Sequence, residues 1–335
     1  MPRITLSKAW DGFIIEQRAA ARSHYTLRNY RYTWQKVRLF LEEKYDGKDP
    51  KFHKLDRSFW VEFMAWLREE YTFTPTGVAA HSAAAPRHLS PKSLRNVHAD
   101  LSAFYTWAVK TKFAKKHIMR SIDRPEANRP VIKTFTKEQC EKLLRACDRK
   151  VPSSKQKRGT SRITAARDRA IVLFLLSSGV RASELCMITF ADINIDTRQV
   201  IVRGKGKGTG SKERAIYFGR RVARALWNYT CTLEHTEPGD PVFQSSRNPG
   251  CPVNRKNLRK LINRIGERAG VRDAYPHKFR HTFAINYLRN GGDVFTLQSL
   301  LGHTTLEMVR IYARIAREDC EVAHKRADPV DNWFL

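Results

Sequence analysis

The sequence predicts a mainly α protein: a helical domain followed by a mostly helical domain carrying one small antiparallel β-sheet. Three observations predict it. Apolar residues recur at helical spacing through most of the 335-residue chain, a length that suits two domains better than one. Residues 121–130, with two prolines and little apolar pattern, interrupt that periodicity. Short strands follow the central helix, the best being 199–203 and 214–218 on either side of a glycine-rich tip.

Taken in order, Tyr30, Trp34, Val37 and Leu41 share one face of a first helix. A second covers 57–70, with Phe59, Phe63 and Leu67 on one side. A third opens at Ser90-Pro91, a cap followed by proline at the first helical position, and runs through Leu94, Val97, Leu101, Phe104, Tyr105 and Ala108. Aromatic residues can stack on bases, but this spacing assigns them to helix cores. Residues 72–89, rich in Ala, Thr and Pro, are expected to form a mobile loop. Arg28, Arg31, Lys36, Lys92 and Arg95 fall on the polar sides and are the candidates for phosphate contacts.

The expected division is a domain over 1–120, a linker over 121–134, a second domain over 135–318 and a tail over 319–335. The second domain starts with Thr136-Lys137-Glu138-Gln139, a capping pattern for a helix through Leu143 and Leu144. Residues 148–164 are basic and polar and read as a surface loop. A central helix over 165–178 follows, with Ala170, Ile171, Leu173, Phe174 and Leu175, and Gly179 ends it in the left-handed conformation. Arg181 then starts another helix. The hairpin tip over 204–212 holds Lys205, Lys207 and Lys212, and helices resume over 220–233 and 257–269.

Composition narrows the partner. Lys and Arg total 62 against 33 Asp and Glu, a net charge of +29. Such an excess repels itself unless a polyanion neutralises it, and nucleic acid is the usual polyanion. Charge alone is equally compatible with a non-catalytic binding protein. No apolar run approaches membrane-spanning length and no basic-then-apolar leader opens the chain, so neither a membrane partner nor secretion is expected, and the location is cytoplasmic. The six cysteines lack CxxC spacing and read as reduced, buried thiols.

The stretch over 276–312 concentrates the chemistry. Pro276 suits the first helical position, which puts His277 and Arg280 in the first turn on one side. Gly302 ends the preceding helix and Thr304-x-x-Glu307 is a capping box, so His303 sits at a junction. Arg181 follows the Gly179 break. Helix starts carry unpaired N–H groups and the positive dipole end, so three breaks bearing Arg, His-x-x-Arg and His predict a bound phosphate. His277 and His281 stand at a metal-pair spacing, but the Glu of HExxH is missing and Arg280 repels a cation. GxxxxGK[ST] is also absent, so no metal, nucleotide or other cofactor is expected.

The order Arg181, Lys205, His277-x-x-Arg280, Leu301-Gly302-His303 and Tyr312 resembles the active-site signature of the tyrosine site-specific recombinases, the phage-type integrases and Xer recombinases. The local contexts agree: Gly179-Val180-Arg181-Ala182-Ser183-Glu184-Leu185, His277-Lys278-Phe279-Arg280-His281, and His303 nine residues before Tyr312. The likeness implies a DNA-clamping domain, a linker and a catalytic domain. It implies that Tyr312 attacks the scissile phosphate to form a 3′-phosphotyrosyl link, with Arg181 and Arg280 clamping the non-bridging oxygens. Lys205, or Lys207 on the same tip, protonates the leaving 5′-oxygen. His277 accepts the tyrosine proton or bonds the phosphate, His303 supports the phosphate, and Glu184 holds the scaffold. Nearby cations are expected to favour the Tyr312 phenolate.

The same likeness implies double-stranded DNA with a specific core site as partner. It also implies a tetramer in the synapse, a monomer or weak dimer when free, a tail passed to a neighbouring protomer, and accessory DNA-bending or directionality proteins. A prokaryotic or mobile-element origin and nucleoid association fit it. With its short N-terminus, the chain is not expected to carry an additional arm-DNA-binding domain. A type IB topoisomerase uses related phosphotyrosine chemistry and is the closest alternative.

Overall fold

Helices α1 (Leu6–Ala19), α2 (His24–Lys44), α3 (Arg57–Glu69) and α4 (Pro91–Lys110) build the first of two units, 1–130 and 131–335, into which the chain divides. The computed structural model describes residues 4–74, 85–126, 132–148, 158–204, 212–234, 236–303 and 305–316. Side-chain caps start three of these helices. Ser23 accepts from Thr26 N, Asp56 from Phe59 N, and Ser90 from Ser93 N with Pro91 in the first turn. Helix α1, not singled out in the sequence, buries Leu6, Ala9, Trp10 and Phe13, an ordinary i, i+3, i+4, i+7 stripe.

Most aromatics of this unit are core, while Tyr25, Tyr32 and Phe73 are exposed. Trp10, Phe13, Phe40, Phe63, Trp66, Phe104 and Tyr105 lie buried in one cluster. Their polar tips are satisfied: Trp60 Nε1 donates to Tyr105 Oη at 2.6 Å, Trp107 Nε1 to Glu16 at 2.6 Å and Trp66 Nε1 to Glu43 at 2.8 Å. Residues 72–89 are not all loop, because β1 (Thr72–Phe73) pairs antiparallel with β2 (Arg87–His88). Residues 75–84, where mobility was expected, lie outside the described residues. Arg28, Arg31 and Lys92 are exposed, and Arg28 lies over the Tyr25 ring at 5.0 Å. Arg95 and Lys36 are half-buried, and Lys36 Nζ donates to Tyr32 O at 3.1 Å. Burial lowers the Lys36 pKa, with Asp100 opposing.

The second unit runs α5 (Lys137–Asp148), α6 (Arg158–Ser178), α7 (Ala182–Leu185), β3 (Ile193–Asn194), β4 (Gln199–Gly204), β5 (Lys212–Tyr217), α8 (Arg220–Thr230), α9 (Arg255–Ala269), α10 (Pro276–Arg289), α11 (Val294–Leu301) and α12 (Glu307–Ala316). The sheet is antiparallel in the order β3-β4-β5, with Val202 opposite Arg214 and Gly204 opposite Lys212. The expected cap of α5 is present in both directions: Thr136 N donates to Gln139 Oε1 and Gln139 N to Thr136 Oγ1, each at 3.2 Å.

Two expectations need correction. Helix α6 starts at Arg158 rather than 165, so part of the polar 148–164 stretch is helical. Polarity there was read as loop, yet no proline stops a helix that already has a buried C-terminal half. The thiols are not uniformly buried either. All five described cysteines are free, and Cys231 and Cys251 are exposed; Cys320 lies outside the described residues.

Ala170, Ile171, Phe174 and Leu175 make α6 the centre of the larger core, which gathers residues from α5, the sheet, α8 and α9. Helices α10, α11 and α12 close a second cluster around Ala284, Ile285, Leu297, Leu301 and Val309. Gly179 ends α6 at φ +59, and a Cβ there would meet Phe283 of α10 at 2.3 Å. Gly179→Ala is therefore expected to destabilise by about 2–4 kcal/mol, from left-handed strain plus overpacking. Denaturant unfolding measures it, and a loss under about 0.5 kcal/mol, the level of an ordinary surface change, contradicts the close packing.

Candidate active site

Four separate pieces of the second unit supply the site. Arg181 caps α7 in extended conformation (φ −72, ψ 147). Its backbone N–H donates to Glu184 Oε2 at 2.9 Å, and its Nη1 donates to Glu184 Oε1 at 2.8 Å. Its Nη2 reaches Gly302 O at 3.1 Å, across 121 positions of sequence. Gly302 has φ +62 and ends α11, which leaves the carbonyls of that helix end open to such donors.

Arg280 stands in the first turns of α10, which Pro276 opens, and is 1% exposed. Its guanidinium donates from Nη1 to Gly179 O at 2.8 Å, and from Nη2 to Leu301 O at 2.7 Å and His303 Nε2 at 2.8 Å. It thus joins the break after α6 to the break after α11. Burial, then Arg181, pushes its pKa down to about 10, so it stays charged at neutral pH. An arginine only donates, so His303 Nε2 accepts and the neutral ring carries its proton on Nδ1, a buried atom without a partner among the described residues. Burial and the neighbouring Arg280, Arg181 and Arg214 push His303 down to about 4.

The nucleophile candidate lies beside this. Tyr312, on α12, is 1% exposed, and its ring lies parallel to His303 at 6.4 Å. Its hydroxyl is 2.9 Å from His281 Nδ1, not paired with His277. His277 is exposed and its ring stands edge-on to His281 at 4.3 Å. Burial, then His277 and Arg280, push His281 down to about 4. The phenolate expectation is corrected: burial raises the Tyr312 pKa and outweighs the lowering by Arg280 and Arg181.

Two residues that sequence reasoning passed over belong here. Arg214 on β5 grips Glu184 with both Nη atoms, at 2.9 and 2.8 Å, and donates from Nε to Leu300 O at 2.7 Å. One side chain therefore ties the strand after the lysine tip to the Arg181 partner and to the end of α11. Its signal was strand alternation, since it shares a face with buried Ile216 and Phe218. His281 was weighed as half of a metal pair, but it shares a helix face with buried Ile285 and Leu288, and that face meets α12.

Lys205, Lys207 and Thr304 lie outside the described residues; Lys212 opens β5. Among the described residues no cluster of His, Cys, Asp and Glu suits a metal, and no helix is long and apolar enough to cross a membrane. The local charge is one-sided. Two guanidinium groups, those of Arg181 and Arg214, grip one carboxylate, Glu184, the Arg280 guanidinium adds a third positive charge, and the His281 and His303 imidazoles are held neutral. Such a site favours an anion, and paired guanidinium forks match a phosphate.

A family model described as Phage integrase family matches residues 133–319, more than half of the chain and all of this site. The chain belongs to the phage integrase family. A second model, the phage integrase SAM-like domain, matches residues 9–123. Among curated relatives, the tyrosine recombinase XerC of Corynebacterium glutamicum is 30% identical over 69% of this chain and 70% of its own length. The XerC of Bacillus subtilis is 28% identical over 77% and 83%, and the tyrosine recombinase XerA of Pyrococcus furiosus 28% over 86% and 91%.

Solved structures share the integrase fold. The Tn1549 transposon integrase, in complex with transposon right end DNA, aligns over 98% of this chain and all of that one (100%), with a TM-score of 0.67 and 18% identity. XerH recombinase, in a post-cleavage complex with a palindromic difH substrate, aligns over 92% and 81% with a TM-score of 0.65, also at 18% identity. The mainly helical fold with small antiparallel sheets agrees with the sequence reading.

Proposed function

We propose that this integrase-family chain is a site-specific DNA recombinase whose nucleophile is Tyr312. The observation that carries the reading is the convergence of Arg181, Arg280 and His303 on one point beside a buried tyrosine. In this reading the Tyr312 oxygen attacks the scissile phosphorus while the two guanidiniums neutralise charge growing on the non-bridging oxygens. The bond to the 5′-oxygen breaks, Lys205 or Lys207 protonates it, and the phosphodiester energy is kept in a 3′-phosphotyrosyl link. Attack by an incoming 5′-hydroxyl reverses the step without ATP. Glu184 and Arg214 hold the scaffold, and in this reading His277, exposed at the start of α10, bonds the phosphate.

The finer assignments follow the same reading. Residues 1–120 bind duplex DNA, with Arg28, Arg31, Lys36, Lys92, Arg95, Lys207 and Lys212 contacting phosphates. Residues 121–134 are the linker, 135–318 the catalytic domain, and 319–335 a tail for a neighbouring protomer. The working assembly is a tetramer on two copies of a specific core site in the cytoplasm.

The test is a nicked duplex that traps the covalent product, bearing a core site selected from a random library by its binding to the chain. The wild-type protein is expected to form a protease-sensitive 3′ adduct, and Tyr312→Phe none, with DNA affinity within about threefold because phosphate contacts dominate binding. Efficient relaxation of plain supercoiled DNA without the selected site would instead support the topoisomerase alternative.

A further inference from the structure

We infer that His281 is the group that takes the Tyr312 proton during attack, an inference resting on the function proposed above. Three observations lead to it. The only side chain bonded to the Tyr312 hydroxyl among the described residues is His281, at 2.9 Å from Nδ1. Both groups are buried, at 9% and 1% exposure, so bulk water does not replace the imidazole as proton acceptor. His277 instead presents its ring to His281 from the exposed side of the first turn.

The chemistry requires such a partner. Because burial raises the Tyr312 pKa, the hydroxyl is protonated at neutral pH and must lose its proton as the oxygen bonds phosphorus. His281 is neutral, so with its proton on Nε2 it offers a lone pair at Nδ1. During cleavage the Oη–P bond forms, the Oη–H proton passes to Nδ1, and the P–O5′ bond breaks with the proton for O5′ arriving from the lysine tip. The imidazolium so formed faces the negative charge that the bound phosphate carries before and after the step. On religation it returns the proton to the departing tyrosine oxygen, so atoms and charge balance over the cycle.

The hydrogen bond has one rival meaning, a latch that keeps the tyrosine out of action, and the two predict opposite signs. In His281→Asn the amide can occupy the Nδ1 position and hold the bond, but cannot take a proton. Single-turnover adduct formation on the nicked duplex is expected to slow about 10²–10⁴-fold, the usual worth of general base catalysis, with DNA affinity within about threefold. His281→Ala is expected to lose a similar factor, and added imidazole to recover part of it in a saturable way. Cleavage by His281→Asn within threefold of wild type, or faster, overturns the assignment. If the Asn variant no longer binds DNA, the Ala variant decides: no recovery at any imidazole concentration overturns it. Absence of any adduct from the wild-type protein overturns the recombinase reading as well, so the two failures are distinguishable.

Discussion

Replacing Arg280 by alanine is expected to abolish strand cleavage and to lower the stability of the fold. The side chain is 1% exposed and ties Gly179 O, Leu301 O and His303 Nε2 together, so it belongs at once to the candidate site and to the packing that shapes it. Removing it leaves buried acceptors unpaired, at roughly 1–3 kcal/mol each, partly offset by relief of repulsion from Arg181. A net loss of about 2–4 kcal/mol is expected in denaturant unfolding. The chemical loss is separate. A single missing charge-stabilising donor costs about 10²–10³ in rate, and a guanidinium supplies two. Arg280→Lys, with one compact ammonium, cannot reach three acceptors on two loops and should cleave at least tenfold more slowly than wild type. Either variant forming the phosphotyrosyl adduct within tenfold of wild type would remove Arg280 from the site.

Glu184→Ala is expected to be nearly as damaging, although Glu184 contacts arginines and not the Tyr312 hydroxyl. Its carboxylate is 2% exposed and receives both Nη atoms of Arg214, itself 13% exposed, along with the backbone and Nη1 of Arg181. Removing one partner of a buried pair costs about 3–5 kcal/mol, because the other charge is left stranded. The Arg181 bond adds little to that figure, since its side chain is 38% exposed and screened by water. The Arg214–Glu184 pair also carries a pH dependence. Burial opposes ionisation of Glu184, but the Arg214 hydrogen bonds, the Arg181 backbone and their charges outweigh it and hold the pKa below its ordinary value of 4.5. A depressed carboxylate pKa means stability fully present above pH 4.5 and lost as pH falls through the lower folded value. The difference in melting temperature between wild type and Glu184→Gln should therefore be constant above that pH and shrink below it. A difference that grows on acidification would contradict the pairing.

Much of the fold was legible because its signals are local. Ser90-Pro91, the Thr136–Gln139 box and the left-handed Gly179 and Gly302 all mark boundaries that the structure places where the pattern put them. The start of α6 was misplaced because a polar first turn looks like loop until the buried half that continues it is known. The candidate site was expected on two grounds: Arg181, His277, Arg280 and His303 from the helix breaks beside which they stand, and Tyr312 from the likeness to tyrosine recombinases.

What the sequence by itself determined is this set of residue types and their junctions, since helix starts, glycine stops and 3.6-residue faces are encoded within a few positions of one another. Only the tertiary structure decided which histidine meets the tyrosine, that Arg214 rather than a solvated partner holds Glu184, and that Tyr312 is a buried phenol instead of a phenolate. Those three depend on pairings across 31 and 30 positions and on the balance of burial against charge at one point. That balance is a property of the packed interior, where desolvation and neighbouring charges act together, and no local pattern contains it.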